Sequence, residues 1–219
     1  MHITYGTIEQ SRAAIIDHIN SNRAMNPGYR VIDLGGVAGG GWSNGYCDMI
    51  VDIRAANSDN AMSIDLCRPD TWGPLWADIE QHGLYDFAIC NHTLEDLYNP
   101  FPVLDNLSKI ARRGMITTPS ISTELAHLPE SPEWRGYYHH RWIFDQVDDK
   151  IIAIPKLGLI ELAEDWPDTY VPQIQEVRFE WIGSVDYTEF SGNYLDGAHL
   201  YREGLIAAWE TFKTRFSSS

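Results

Sequence analysis

The chain has 219 residues, of which 44% are hydrophobic and 21% charged, values typical of one globular domain rather than of a disordered chain. Its 31 acidic and 16 basic residues give a net charge of −15, which argues against nucleic acid as a partner, because polyanion binding requires clustered Lys and Arg. No apolar run is long enough to span a bilayer, no signal-peptide pattern is visible, and the three cysteines lack metal-finger spacing, so we expect no membrane partner and a cytoplasmic location.

As far as residue 120, the sequence predicts helices and strands in alternation. Apolar residues at helical spacing indicate helices over residues 7–23, 72–79 and 101–111. Five short apolar segments indicate strands over residues 31–33, 49–53, 61–66, 85–90 and 115–118. Because these strands alternate with helices through short connections, we expect an α/β fold, a three-layer sandwich in which a mostly parallel sheet carries helices on both faces.

After residue 120 the pattern changes. The region 120–142 has no clean period and is predicted to be an insertion or lid over a site. Apolar segments at residues 151–154 and 177–182 predict strands that pair antiparallel at the sheet edge, and residues 198–216 predict an amphipathic helix. No repeat or domain boundary is visible, so residues 1–219 are expected to form a single domain.

The most informative stretch is the glycine-rich turn after the first predicted strand. Asp33 ends that strand, and Gly35, Gly36 and Gly39 follow it. Glycines let the backbone turn sharply and approach a ligand closely, and ligands bind where the chain leaves the carboxyl ends of parallel strands. Only about eight residues separate Gly39 from Asp48, too few for a helical crossover, so a turn or loop is expected in its place.

These features resemble the class I S-adenosylmethionine-dependent methyltransferases over residues 28–120. Acids follow the first three predicted strands, and the strongest match is the segment Tyr85-Asp86-Phe87-Ala88-Ile89-Cys90-Asn91-His92-Thr93-Leu94-Glu95-Asp96-Leu97. Its family counterpart reads aromatic-Asp, a short apolar strand, a polar residue, His, an apolar residue and Leu-Glu-His. The resemblance implies a Rossmann-like fold, S-adenosylmethionine as cofactor and methyl transfer. Two features depart from the family pattern: Val37 stands where glycine is usual, and the first crossover is short.

The resemblance also implies roles for individual residues. Asp33 would bind the amino group of the cofactor, Asp52 its ribose hydroxyls and Asp65 its adenine amino group. The full set of implied cofactor-binding residues is Asp33, Gly35, Gly36, Gly39, Asp52, Ile53, Asp65, Leu66, Asn91 and His92.

Methyl transfer to an oxygen needs a group that takes the acceptor's proton. His139 and His140 are the candidates, because they lie in the aromatic insertion, where a lid would bring them over the cofactor. On an extended strand the two would point to opposite faces, one toward the site and one into the packing. The alternative is that both histidines only hold the loop. No HxH or HxxxH spacing occurs, so no metal site is expected.

Arg141 and Glu95 are candidates for binding substrate. Arg141 would clamp an anionic group with two hydrogen bonds, and Glu95 follows the fourth strand at the expected pocket mouth. The alternative for Arg141 is a salt bridge to Glu124, Glu130 or Glu133. Asp96 is expected to be a helix-start carboxylate.

Three functions therefore remain open. The first is S-adenosylmethionine-dependent methyl transfer to an oxygen, or with less support a nitrogen, of a small molecule or of a sugar in a surface glycan. The glycan is suggested because the His-His-Arg-Trp segment loosely resembles a segment of methyltransferases from glycan-modification clusters. The second is an S-adenosylmethionine-binding protein without turnover. The third, an NAD-dependent α/β enzyme, fits least, because the glycines do not follow G-x-G-x-x-G. The partner is expected to be a small-molecule or carbohydrate substrate, and the aromatic insertion also suits a homodimer surface.

Overall fold

The computed structural model describes residues 1–162, 171–190 and 198–216. Its strands, numbered along the chain, are β1 (His2–Gly6), β2 (Val31–Leu34), β3 (Met49–Asp52), β4 (Ala61–Ser63), β5 (Phe87–Asn91), β6 (Arg113–Pro119), β7 (His127–Leu128), β8 (Ser131–Arg135), β9 (Trp142–Val147), β10 (Lys150–Pro155), β11 (Glu176–Ile182) and β12 (Tyr187–Glu189). Its α-helices are α1 (Ile8–Met25), α2 (Gly73–His82), α3 (Phe101–Ile110), α4 (Ile121–Glu124) and α5 (Ala198–Phe216).

Seven of these strands form one sheet in the order β4-β3-β2-β5-β6-β11-β1. The first five strands in this order run parallel to one another, whereas β11 is antiparallel to both of its neighbours, β6 and β1. The expected α/β fold with a mostly parallel sheet and an antiparallel edge is therefore confirmed.

Helices cover this sheet on both faces. On one face, Leu75 of α2 and Leu104 of α3 share a buried cluster with Ile32 of β2. On the other face, Ile15 of α1 packs with Val31, the preceding residue of the same strand. This division follows from the alternation of side chains along a strand. The long helix α5 packs away from these clusters, against α4 and β9.

The first helix begins at a cap that the sequence encodes. The Thr7 hydroxyl accepts from the Gln10 backbone N–H at 3.3 Å, and the Thr7 N–H donates to Gln10 Oε1 at 2.9 Å. This reciprocal capping box satisfies two of the N–H groups that a helix start leaves free. The helix ends at Met25, close to its predicted end, and none of the described helices combines the length and apolar character needed to cross a bilayer.

The connection between β2 and β3 holds no α-helix, as its length predicts. Residues 35–48 contain only the short 3₁₀ helix Trp42–Gly45. The Asn44 side chain holds the glycine turn before it: its Oδ1 accepts from the Gly39 N–H and its Nδ2 donates to the Val37 carbonyl, each at 2.8 Å. Side-chain to backbone bonds thus replace helical ones at the carboxyl end of β2.

Three strand predictions differ from the structure. The sequence pattern does not predict β1, which pairs with β11 at the sheet edge. The third predicted strand, β4, ends at Ser63 instead of Leu66, because the chain enters a turn in which the Arg68 N–H donates to the Asp65 carbonyl at 3.0 Å. The prediction that the strand at residues 151–154 pairs at the edge of the main sheet is wrong, because this strand, β10, forms a separate three-stranded sheet with β9 and β12. The strand at residues 177–182, β11, joins the main sheet as expected. An apolar run predicts that a strand is buried but does not show with which other strand it pairs.

The region 120–142 contains regular structure where an irregular insertion was expected. Ser120 caps α4 by accepting from the Thr123 N–H at 3.3 Å, and residues 120–126 are all buried. A short β7–β8 hairpin follows, and then a turn leads into β9. The first part of this region therefore belongs to the core, while its role as a lid stays a prediction.

Candidate functional site

Three adjoining cavities lie at the carboxyl ends of β2, β3 and β5. We name them the large cavity, of about 920 Å³, the glycine-turn cavity, of about 310 Å³, and the strand-end cavity, of about 250 Å³. Asp52 and Ile53 line both the large and the strand-end cavities, and Gly35 lines both smaller ones. This edge is where open α/β sheets bind their ligands.

Every residue that the resemblance assigns to the cofactor lines at least one of these cavities. The strand-end cavity is lined by Gly35, Asp52, Ile53, Asp65, Leu66 and His92. The glycine-turn cavity adds Asp33, Gly36 and Asn91, and the large cavity adds Gly39. Residues from separate parts of the sequence thus meet at one edge of the sheet.

Of the residues expected to bind the cofactor, two carboxylates and two apolar side chains line the strand-end cavity: Asp52, Asp65, Ile53 and Leu66. Asp52 Oδ1 accepts from the Arg54 N–H at 2.6 Å, and Asp65 Oδ1 accepts from the Cys67 N–H at 2.9 Å. These bonds fix each carboxylate at the end of its strand. Ile53 is 60% exposed, an unusual position for a branched apolar side chain, whereas Leu66 is buried. The arrangement suits a ligand with polar edges and an apolar ring.

The glycine turn is shaped by close approaches that only glycine allows. Gly35 has φ +96°, and a Cβ on it would overlap the side chain of Thr93. A Cβ on Gly36 would overlap the Asp33 carboxylate. Val37, the residue that departs from the family pattern, directs its side chain outward and is 64% exposed, so the turn accommodates it without crowding.

Asp33 is a buried carboxyl beside this turn. Its pKa is raised to about 7, chiefly by burial and to a smaller extent by the Asp52 carboxylate, while the nearby Ser43 hydroxyl lowers it in part. Asp33 is only 3% exposed and forms no ion pair with another residue of the described chain. A cationic group arriving in the glycine-turn cavity would therefore favour the ionised form of Asp33.

His92 lies between two buried glutamates. Its Nε2 contacts Glu176 Oε1, and its Nδ1 lies 3.1 Å from Glu95 Oε1. Burial by itself lowers the pKa of His92, but Glu176 and Glu95 outweigh burial and raise it to about 10. Its backbone is held at φ 49°, and its N–H donates to the Thr117 carbonyl at 2.9 Å. We name Glu95, His92 and Glu176 the closed cluster, since both ring nitrogens face a carboxylate.

This placement changes the interpretation of Glu95. The sequence places it at the pocket mouth as a substrate-binding residue, but its side chain is 1% exposed and lines none of the three cavities. It lies beneath them instead, against His92. Asn91, one residue before His92, accepts from the Thr117 hydroxyl at 2.8 Å and lines the glycine-turn cavity.

The two candidate proton acceptors lie side by side, and one of them, His139, lines the large cavity. His139 is in a turn and its side chain is half exposed, while the side chain of His140 is 5% exposed. Asp96 faces both: its Oδ1 lies 3.6 Å from His139 Nε2 and 3.8 Å from His140 Nε2. One histidine thus faces the site and the other packs, as expected, although they lie in a turn and not on an extended strand. We name Asp96, His139 and His140 the open cluster.

The buried carboxylate of Glu124 is hydrogen-bonded to the second ring nitrogen of His140, Nδ1. Glu124 Oε1 lies 2.5 Å from His140 Nδ1, and Glu124 Oε2 accepts from Lys156 Nζ at 2.6 Å. Burial raises the pKa of Glu124, but His140 and Lys156 outweigh burial, so the net direction is down. Glu124 is therefore an ionised partner that fixes the orientation of the His140 ring.

Two alternatives for the neighbouring residues are not supported. The first is a salt bridge from Arg141 to a glutamate: Glu124 pairs with His140 and Lys156 instead, and Arg141 forms no ion pair within the described chain. The Arg141 guanidinium lies 5.8 Å from the ring centre of Tyr98, and Arg141 lines the large cavity. The expectation that Asp96 starts a helix is wrong, because Asp96 lies in a turn and α3 begins only at Phe101.

Sequence reasoning missed two arginines of the site. Arg12 lines the glycine-turn cavity with Ile8, one turn earlier on α1, and Arg54 lines the large cavity with Arg141. The spacing of four residues between Ile8 and Arg12 places them on one helix face, but nothing in the sequence shows that this face meets the glycine turn.

Comparison with models of known protein families and with functionally characterised proteins found no match for this chain. The functional interpretation therefore depends on the residues and their geometry.

Proposed function

We propose that this chain is an S-adenosylmethionine-dependent methyltransferase with a Rossmann-like fold. It would methylate an oxygen, or with less support a nitrogen, of a small molecule or of a sugar in a surface glycan. The observation that carries the proposal is that all ten residues expected to bind the cofactor line three adjoining cavities at the carboxyl edge of a mostly parallel sheet.

The donor and acceptor groups of the site fit the two ends of the cofactor. In the strand-end cavity, Asp52 and Asp65 offer acceptors for ribose hydroxyls and an adenine amino group, with Leu66 as apolar wall. In the glycine-turn cavity, Asp33 suits the ammonium of the methionine part and Arg12 suits its carboxylate. A zwitterion is thus matched by one acid and one base.

The short crossover favours this cofactor over NAD. A pyrophosphate is usually bound at the amino terminus of the helix that follows the first strand. Here residues 35–48 contain a 3₁₀ helix of four residues and no α-helix. S-adenosylmethionine has no phosphate, so it does not need that helix terminus. Arg12, on the helix before β2, supplies a positive charge on the same side.

The charge of the closed cluster suits a cationic ligand. The closed cluster contains two buried carboxyl groups, those of Glu95 and Glu176, and one imidazole, so its acidic groups outnumber its basic group and favour a negative charge. His92 lines both smaller cavities, so this charge lies beside the expected cofactor site. When bound, S-adenosylmethionine supplies a methyl group on a positively charged sulfur. A negative charge nearby favours binding of this cation.

The large cavity is the expected acceptor site. Arg54 and Arg141 line it, together with Asn60. Two guanidinium groups favour an acceptor that carries a phosphate or carboxylate, such as a sugar nucleotide. Two residues of the open cluster, Asp96 and His139, line the same cavity, so the cluster is placed where the acceptor's proton has to be removed.

Calorimetry with S-adenosylmethionine, its demethylated product and NAD tests the cofactor. We expect both sulfur compounds to bind and Asp52→Ala to weaken their binding by roughly 1–3 kcal/mol, about fivefold to 150-fold, because the ribose hydroxyls lose their acceptor. Asp59→Ala is the matched control, since Asp59 is an exposed acid of the following loop that lines none of the three cavities. Absence of binding at millimolar concentration, or an unchanged affinity in Asp52→Ala, would contradict the proposal.

Turnover is tested separately from binding. The protein is incubated with S-adenosylmethionine and a library of sugar nucleotides, and products are examined for a mass gain of one methyl group. Binding of the cofactor without any methylated product would instead support the non-catalytic alternative.

A further inference from the structure

We propose that Asp96, His139 and His140 bind one divalent transition-metal ion, of the class of Zn²⁺, on the wall of the large cavity. Each residue offers one ligand atom, and the three atoms lie within 4.8 Å of one another. Two imidazoles and one carboxylate form a donor set that zinc and related ions use in catalytic sites.

The distances are close to those of a metal site. Ligand atoms about 2 Å from a common ion lie roughly 3–3.5 Å apart in a tetrahedral arrangement. Asp96 Oδ1 is 3.6 Å from His139 Nε2 and 3.8 Å from His140 Nε2, and the three ligand atoms lie within 4.8 Å of one another, so the side chains have to move closer together to complete the geometry. The side chains of Asp96 and His139 are about half exposed and have room for such movements.

The buried partner of His140 is the second, independent observation. Glu124 Oε1 lies 2.5 Å from His140 Nδ1, so Nδ1 donates to this carboxylate and the other ring nitrogen, Nε2, is the atom that faces Asp96. Metal-bound histidines usually have a carboxylate in this position, which fixes the tautomer and makes the imidazole a better ligand. Lys156 donates to the other Glu124 oxygen at 2.6 Å and holds that carboxylate in place.

The exposed side of the cluster leaves room for a further ligand. Three protein ligands leave at least one position of a tetrahedral ion open, and His139, Asp96 and Arg141 all line the large cavity. If the proposed function is correct, the acceptor hydroxyl takes this position. The ion then lowers the pKa of that hydroxyl, whose proton passes to solvent water, and the histidines act as ligands and not as the base.

Titration of untagged protein with ZnCl₂, without S-adenosylmethionine, tests the site by calorimetry. We expect one ion per chain and a loss of at least tenfold in affinity in Asp96→Asn and in His139→Gln. These variants change exposed side chains, whereas His140 and Glu124 are buried and their replacement risks the fold. The matched control is His82→Gln, because exposed His82 also faces a carboxylate, Asp78, at 4.0 Å, but has no second histidine beside it.

A second readout identifies the ligands. Co²⁺ in place of Zn²⁺ gives a visible absorption band whose intensity reports tetrahedral coordination, and we expect this band in the wild type and in His82→Gln but not in His139→Gln. The proposal is overturned if wild-type protein binds no Zn²⁺, or if Asp96→Asn and His139→Gln bind it as tightly as wild type.

Separate titrations keep this proposal apart from the proposed function. Cofactor binding without Zn²⁺ binding overturns the metal site and leaves methyl transfer in place. Zn²⁺ binding without cofactor binding supports the metal site and counts against methyl transfer.

Discussion

The closed and open clusters use the same residue types in opposite ways. In the closed cluster, each ring nitrogen of His92 faces a buried carboxylate, so the imidazole holds its proton and acts as a fixed charge. In the open cluster, His140 Nδ1 is hydrogen-bonded to Glu124. The Nε2 atoms of His139 and His140 both face Asp96 and form no hydrogen bond within the described chain.

The difference shows that the placement of carboxylates decides what a histidine does. Two carboxylates on one ring stabilise the imidazolium, which has no lone pair to offer. A single buried carboxylate on Nδ1 leaves the other ring nitrogen of His140, Nε2, without a buried carboxylate partner. The closed cluster is therefore expected to act on stability and the open cluster on ligands.

The largest expected effect is that of Glu176→Gln on stability. Removing this buried charge leaves the imidazolium of His92 with a single partner, which we expect to cost about 3–5 kcal/mol of unfolding free energy. Urea unfolding measures it. The control is Glu180→Gln on the same strand, a partly exposed residue expected to change stability by less than about 0.5 kcal/mol. A loss no larger than that of the control would show that the closed cluster is not a buried ion pair.

The second effect is a dependence of stability on pH. The pKa of His92 is raised from 6.5 in the unfolded chain to about 10 in the folded protein, so within this window the folded state holds a proton that the unfolded state has lost. Its stabilisation is complete below pH 6.5 and falls by up to about 1.4 kcal/mol per pH unit as the pH rises toward 10. Urea unfolding across this range should show the slope in wild type and in His139→Gln, and a smaller slope in His92→Gln.

The smallest expected effect is that of His139→Gln on stability. The side chain is half exposed, and its nearest carboxylate is 3.6 Å away at the surface, so we expect a change within about 0.5 kcal/mol. Thermal or urea unfolding of metal-free protein measures it. A loss as large as that of Glu176→Gln would remove the distinction between the clusters and make the open cluster a structural one.

The fold could be predicted because its signals are local. Short apolar segments ending in Asp33 and Asp52 predict strands, and the strands of a parallel sheet present their carboxyl ends at one edge. The small number of residues between Gly39 and Asp48 excluded an α-helix there, as the structure confirms. The sequence likewise predicts α5 with the bounds that it has.

The partners within the site could not be predicted, because they come from distant parts of the chain. Glu176 follows His92 by 84 residues and reaches it only because β11 inserts next to β6. Asp96 meets His139 and His140 through a turn that the sequence indicated as a helix start. Spacing rules such as HxH find ligands on one element, so they missed a cluster assembled from two loops.

Through Arg12, the amino-terminal segment contributes to the candidate site as well as to the sheet. The β1–α1 unit lies before every motif of the cofactor resemblance. In the folded protein it supplies one sheet edge and the guanidinium beside the glycine turn. Shortening the chain from this end, or fusing a partner protein there, would therefore alter ligand recognition even where the rest of the domain folds normally.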